Sequence, residues 1–97
     1  MTGPTEARAS AAGAALPSMG LIVHYRGKLG FNAWRPAIVA VDKANLDPRG
    51  VEAGVIPDLS SDEHVHLRVI GVEGEFTEYD VPPGEGPGCW RWPPRVG

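Results

Sequence analysis

The sequence predicts a mostly-β fold: a small SH3-like or OB-like β-barrel of about five short strands, behind a disordered or extended N-terminal arm. Three observations predict it. Apolar residues alternate at period two in several short runs. Turn residues separate those runs, with 13 Gly and 10 Pro among 97 residues. The first 18 residues, by contrast, hold one large aliphatic side chain after Met1, namely Leu16. Such a stretch buries too little apolar surface to offset the entropy of ordering it. The chain therefore divides into an arm, 1–18, and a domain, 19–97. A domain of that size draws its core from few residues, so the aromatic side chains matter.

The elements follow in order. In the run Gly20–Gly27, Leu21, Val23 and Tyr25 fall on one face, and Ile22, His24 and Arg26 on the other. That is a strand over about 20–26 closed by a glycine, with Lys28–Asn32 as loop. Trp34–Asp42 is apolar on both faces from Ala37 to Val41, so a strand over about 35–42 should be central or covered on both sides. Pro36 lacks a backbone donor and belongs at its beginning or on a bulge. The least regular part is 43–63. Asp47-Pro48-Arg49-Gly50 suits a type I turn, and Val51, Val55 and Ile56 suit a short edge strand. In His64–Ile70, Val65, Leu67 and Val69 point one way and form the safest core, while His64, His66 and Arg68 point the other. A hairpin at 71–74 leads to a strand over 75–81. Pro82–Gly88 is loop, and a last strand over 89–92 ends at Pro93-Pro94.

Charge and composition exclude several classes. The net charge is −3, and the seven Arg and two Lys are scattered. Duplex DNA binding, which needs clustered positive charge, is not expected. A single cysteine, Cys89, excludes an intramolecular disulfide and suits a reducing compartment. The Ala-rich start lacks the charged and continuous apolar regions of a signal peptide. No segment approaches the ~20 apolar residues that span a bilayer. A soluble protein with no membrane partner is expected.

Chemistry-bearing residues fall into three groups. His24, His64, His66 and Cys89 could be drawn as zinc ligands, but structural zinc sites use tighter paired motifs; no metal site is assigned. If the strands of His24 and His66 pair, then His24, Arg26, His64, His66 and Arg68 converge as an anion site, because guanidinium offers a planar fork to phosphate or carboxylate. In Trp90-Arg91-Trp92-Pro93 the two indoles share a face. They read either, together with Trp34, as a platform for a base, peptide or sugar, with Arg91 beside it, or as completion of the core; at least one should be core. No catalytic residue is assigned, since no Cys-His motif has suitable surroundings. No cofactor is assigned either: the glycines of 84–88 lead into no helix and lack the G-K-[ST] of a phosphate loop.

Three blocks, Ile22-Val23-His24-Tyr25, Arg35-Pro36-Ala37-Ile38-Val39 and Gly88-Cys89-Trp90-Arg91-Trp92-Pro93, resemble the corresponding blocks of small uncharacterised proteins of actinobacterial tailed phages with a C-terminal Trp-x-Trp-Pro motif. The resemblance covers about residues 20–94, with specificity in the three blocks. Arg91 stands where those proteins commonly carry histidine, and arginine is no metal ligand. They usually begin near the first strand, so the residues before Met19 read as an alternative start or an added arm. The resemblance implies a phage or prophage origin rather than an activity. Two roles suit it. One is a non-enzymatic accessory protein in the host cytoplasm that binds a host protein or sequesters a signalling nucleotide, through His24, Arg26, His66, Arg68, Trp90, Arg91 and Trp92. The other is a structural virion protein, a capsid decoration or tail interface, whose arm orders on neighbouring virion proteins. Either is expected to be a homo-oligomer.

Overall fold

A computed structural model describes residues 15–28 and 33–94. Most of the predicted arm, 1–14, and loop residues 29–32 lie outside the described residues, as do 95–97. All five predicted strands form: β1 (Ile22–Arg26), β2 (Trp34–Val41), β3 (Val65–Gly71), β4 (Gly74–Val81) and β5 (Trp90–Arg91). They make one antiparallel sheet in the order β4-β3-β2-β1-β5. The chain meanders through four strands and returns the fifth beside the first.

The mostly-β fold of five short strands is as expected; the sheet is unclosed, and its strand order does not establish an SH3-like or OB-like type. β5 is two residues long and cannot carry a full ladder to β4. The two edges nevertheless approach where the chain leaves β4. There Pro83 bridges Trp90 in parallel, with Gly84 N–H on Trp90 C=O at 2.9 Å and Trp90 N–H on Pro82 C=O at 3.0 Å.

One face of the sheet carries the core. Val23, Tyr25, Ala37, Val39, Val65, Leu67, Val69, Val81 and Trp90 are all buried, and Trp92 packs against them. The expected core trio of Val65, Leu67 and Val69 is fully enclosed. Alternation delivers most of this set, and two β-bulges adjust it. β2 has an extra residue between Val39 and Val41, and β4 has one between Glu78 and Val81. Side chains alternate with period two, so one added residue reverses the faces beyond it. Strict alternation would point Val81 away from Phe76. The bulge returns Val81 to the core, and Asp80 adopts φ 51° to make it. Both bulges lie opposite His66, one on each side of β3.

The expected type I turn is instead the start of a short helix, α1 (Pro48–Glu52), preceded by a 3₁₀ turn at Lys43–Asn45. Asp47 accepts from Arg49 N–H at 3.0 Å, and Pro48 fills the first helical turn, where its missing donor is harmless. The expected edge strand at 51–56 does not form. Ile56 folds back over Gly50, a position where a Cβ would collide with it, while Val55 is exposed. Among the described residues no helix is long and apolar enough to cross a membrane.

Candidate functional site

The outer face of β1, β2 and β5 gathers a compact set of side chains. Register places Arg26 opposite Trp34, and His24 opposite both Pro36 and Arg91. Alternation then puts His24, Arg26, Trp34 and Arg91 on the face away from the core. The Arg91 guanidinium carbon lies 3.9 Å from the Trp34 ring centroid, and that of Arg26 lies 5.9 Å from it. Both are within the range of cation–π attraction.

The loop after β4 completes this cluster. Positive φ at Gly84 and Gly88, a region L side chains avoid, turns the chain back toward β1. Gly88 N–H reaches Arg26 C=O at 2.8 Å, and Arg26 N–H reaches Cys89 C=O at 2.9 Å. The turn brings Glu85 over the two arginines: its carbonyl accepts from Arg26 Nη1 at 2.7 Å, and its carboxylate from Arg91 Nη1 at 3.2 Å. His24 Nδ1 and Arg91 Nε are enclosed without a hydrogen-bond partner. Thus Arg91 lies over an indole with one nitrogen on Glu85, while its enclosed Nε has no partner.

The remaining predicted residues go elsewhere. β2 lies between β1 and β3, so the pairing that would have joined His24 to His66 does not occur. His66 is buried, and both of its nitrogens are bonded. Nδ1 accepts from Asp80 N–H at 2.9 Å, so Nε2 carries the proton that it donates to Pro57 C=O at 2.7 Å. Asp80 in turn accepts from Ser60 N–H at 2.8 Å and from the Ser60 hydroxyl. This chain of bonds clamps the 57–64 segment onto the β4 bulge. Burial pushes the Asp80 carboxyl up, but the Ser60 hydroxyl and amide, with His64 and His66 nearby, outweigh it and hold the group below its usual 3.8.

Arg68 is exposed and turned toward β4, on Glu75 at 3.0 Å and the Thr77 hydroxyl at 3.1 Å. Trp90 is a core residue, 3% exposed, whose indole N–H donates to Glu63 C=O at 2.9 Å. Trp92 stands edge-on to it with centroids 5.3 Å apart. This pair seals the sheet rather than offering two open faces.

The sequence already singled out His24, Arg26 and Arg91 of the outer cluster, and Trp34 as an aromatic-platform candidate, but not Glu85. The glycines flanking Glu85 were its one visible mark. Among the described residues no group of three His, Cys, Asp or Glu is placed to hold a metal ion. No protein-family model, curated protein or solved structure matches the chain.

Proposed function

We propose that this chain is a non-enzymatic binding domain of phage or prophage type. Its outer cluster of His24, Arg26, Trp34 and Arg91 takes an anionic group, foremost a phosphate of a signalling nucleotide in the host cytoplasm. The observation that carries the reading is the convergence of two guanidinium groups on one indole, at 3.9 and 5.9 Å. A stacked guanidinium is pre-oriented, so less rotamer freedom is lost when it meets a phosphate. Glu85 is the counter-ion an incoming anion would displace from Arg91.

Thermal unfolding with a panel of cyclic mono- and dinucleotides tests this. A ligand bound by the native state alone must raise stability, by about 2.7 kcal/mol at a hundredfold excess over Kd. The expected result is a shift with at least one nucleotide, abolished in the Arg26→Ala/Arg91→Ala double variant. No shift with any member of the panel rejects the nucleotide.

A second reading, a structural virion protein, is favoured by a different observation. Ile22 and Ile38 are directly opposed and remain 59% and 38% exposed on the same outer face. An exposed apolar pair of this kind suits association with a second copy or a neighbouring capsid or tail protein. Mass spectrometry of purified particles decides it: the protein is present in virions under this reading and absent under the first. Light scattering reads the oligomer expected under both.

A further inference from the structure

The two edges of the sheet end differently. The free side of β5 is covered by the chain that leaves β4, through the bonds of Pro82 and Gly84 with Trp90, and β5 soon runs into Pro93-Pro94. β4 pairs β3 alone. Among the described residues, no backbone bond joins 74–78 to anything beyond β3. Val72 and Glu73 form the whole β3–β4 turn, so Gly71 and Gly74 close it as a bonded pair. Bonded and non-bonded pairs alternate along an antiparallel ladder. Phe76 and Glu78 are therefore bonded to β3, and Glu75 and Thr77 turn their N–H and C=O outward.

Sheet edges are commonly blunted by lysine, proline or short length. The stretch 74–78 has none of these, and Val72, Phe76 and Tyr79, on β4 and its turn, are exposed. β4 and its turn also line a cleft of about 610 Å³, together with Tyr25, Lys28 and Arg35.

We propose that this edge takes an extended peptide, in which Lys or Arg alternates with apolar residues, as a further strand beside β4. Main-chain bonds to Glu75 and Thr77 supply affinity, and alternate side chains supply specificity. Every second side chain of the added strand falls on the core face of the sheet, beside Phe76, where the cleft has room for it. Charge selects the guest. Glu73, Glu75, Glu78 and Asp80 lie on β4 and its turn, and no Lys or Arg stands between Arg68 and Arg91. Arg68 holds Glu75 at 3.0 Å and Lys28 holds Glu78 at 3.2 Å, which leaves the edge acidic in balance. A second copy is the wrong guest, because pairing β4 with itself sets two acidic strands side by side with no base from either.

The inference uses neither guanidinium of the outer cluster and stands or falls apart from the anion site. The probe is a short, end-blocked peptide of alternating Lys and Val. Its comparisons are the Glu-Val peptide and a fully N-methylated Lys-Val peptide, which keeps the charge and loses every backbone donor. Amide chemical shifts and hydrogen exchange of the full chain are followed at millimolar probe. Saturable shifts over 72–79 are expected with the Lys-Val peptide, with exchange slowed about tenfold at the Glu75 and Thr77 amides. N-methylation of the peptide and Thr77→Pro should each weaken binding about tenfold through lost ladder bonds. Proline is tolerated where an edge N–H faces away from the neighbouring strand, so the unfolding temperature of Thr77→Pro should be unchanged; if it falls, the N-methylated peptide alone decides. Absence of shifts over 72–79 overturns the proposal. So does equal binding of the Glu-Val or the N-methylated peptide, or equal binding by folded Thr77→Pro. Protection of Glu75 and Thr77 that rises with protein concentration, without peptide, also overturns it and gives the edge to a second copy.

Discussion

The two ends of the sheet treat buried polar atoms in opposite ways. At the β4 bulge, His66, Asp80, Ser60 and Pro57 form an unbroken run of hydrogen bonds, and the imidazole uses both nitrogens. On β1 and β5, the enclosed His24 Nδ1 and Arg91 Nε have no partner. A satisfied buried network fixes a conformation, and a buried unsatisfied group destabilises the state that contains it. The first arrangement is what a joint needs. The second makes sense where an outside molecule supplies the missing atoms. The contrast assigns structure to the histidine that the sequence made look functional, and is a reason to propose binding in the neighbourhood of β1.

The largest effect expected comes from the residue that ties both ends together. Trp90 fills the core, bonds Glu63 through its indole and joins the β1 edge to the chain beyond β4. Trp90→Ala should lose about 3–5 kcal/mol. A domain this small has little margin, so loss of cooperative thermal unfolding is expected. Full retention of the transition would show that the two regions do not depend on this shared core.

The bulge end is broken selectively by His66→Ala. That change strands Asp80 N–H and Pro57 C=O and leaves a void, for a loss of roughly 2–3 kcal/mol by urea unfolding. His24→Ala on the outer cluster should change stability by no more than about 0.5 kcal/mol, because Nδ1 has no bond to lose. Equal losses at the two histidines would remove the distinction.

The two histidines also mark how far the sequence could be read. Both sit on the polar side of an alternating strand, and alternation placed β1, β3 and the core of Val65, Leu67 and Val69 correctly. It could not reveal the bulges, because an extra residue leaves no mark in a pattern already interrupted by Thr77, Glu78 and Asp80. The burial of His66 follows from those bulges and from Pro57, nine residues away. Nor could local pattern tell that β2 intervenes between β1 and β3. His24, Arg26 and Arg91 were legible as candidates because β1 and β5 are regular and adjacent. Glu85 was not, since it arrives by the glycine-directed path of a loop. The expectation that at least one tryptophan of the terminal motif is core holds for Trp90, which a sheet short of large residues needs to fill its buried face.

A smaller effect separates the ends by pH. The folded-state pKa of Asp80 is lowered, so its contribution is complete above its unfolded value of about 3.9 and is lost as pH falls through the folded value. Stability should decline below about pH 4, and Asp80→Asn should flatten that part of the decline. At neutral pH the variant should lose roughly 1 kcal/mol, because the bonds to Ser60 are solvent-exposed and screened. Asparagine tolerates the positive φ at this position, so the bulge itself is kept. A decline of the same size in the variant would mean that another carboxylate governs the acid limb.

The smallest effect expected at neutral pH has the opposite character. Tyr25→Phe removes an enclosed hydroxyl beside the Glu78 carboxylate and keeps the ring that touches Phe76. The hydroxyl's desolvation penalty disappears with it, which offsets the loss of that neighbour. Stability near pH 7 should therefore change by no more than about 1 kcal/mol. The two proteins should diverge in alkali. The native phenol stays protonated to about 12, while in the unfolded chain it ionises near 10. The contribution of that group is whole below pH 10 and is lost as pH rises toward 12. The parent should weaken across that window and Tyr25→Phe should weaken less. A variant clearly less stable than its parent at neutral pH would mean that the hydroxyl's bond to Glu78 outweighs that penalty, and the β1 end would then be held by polar bonding as the bulge is.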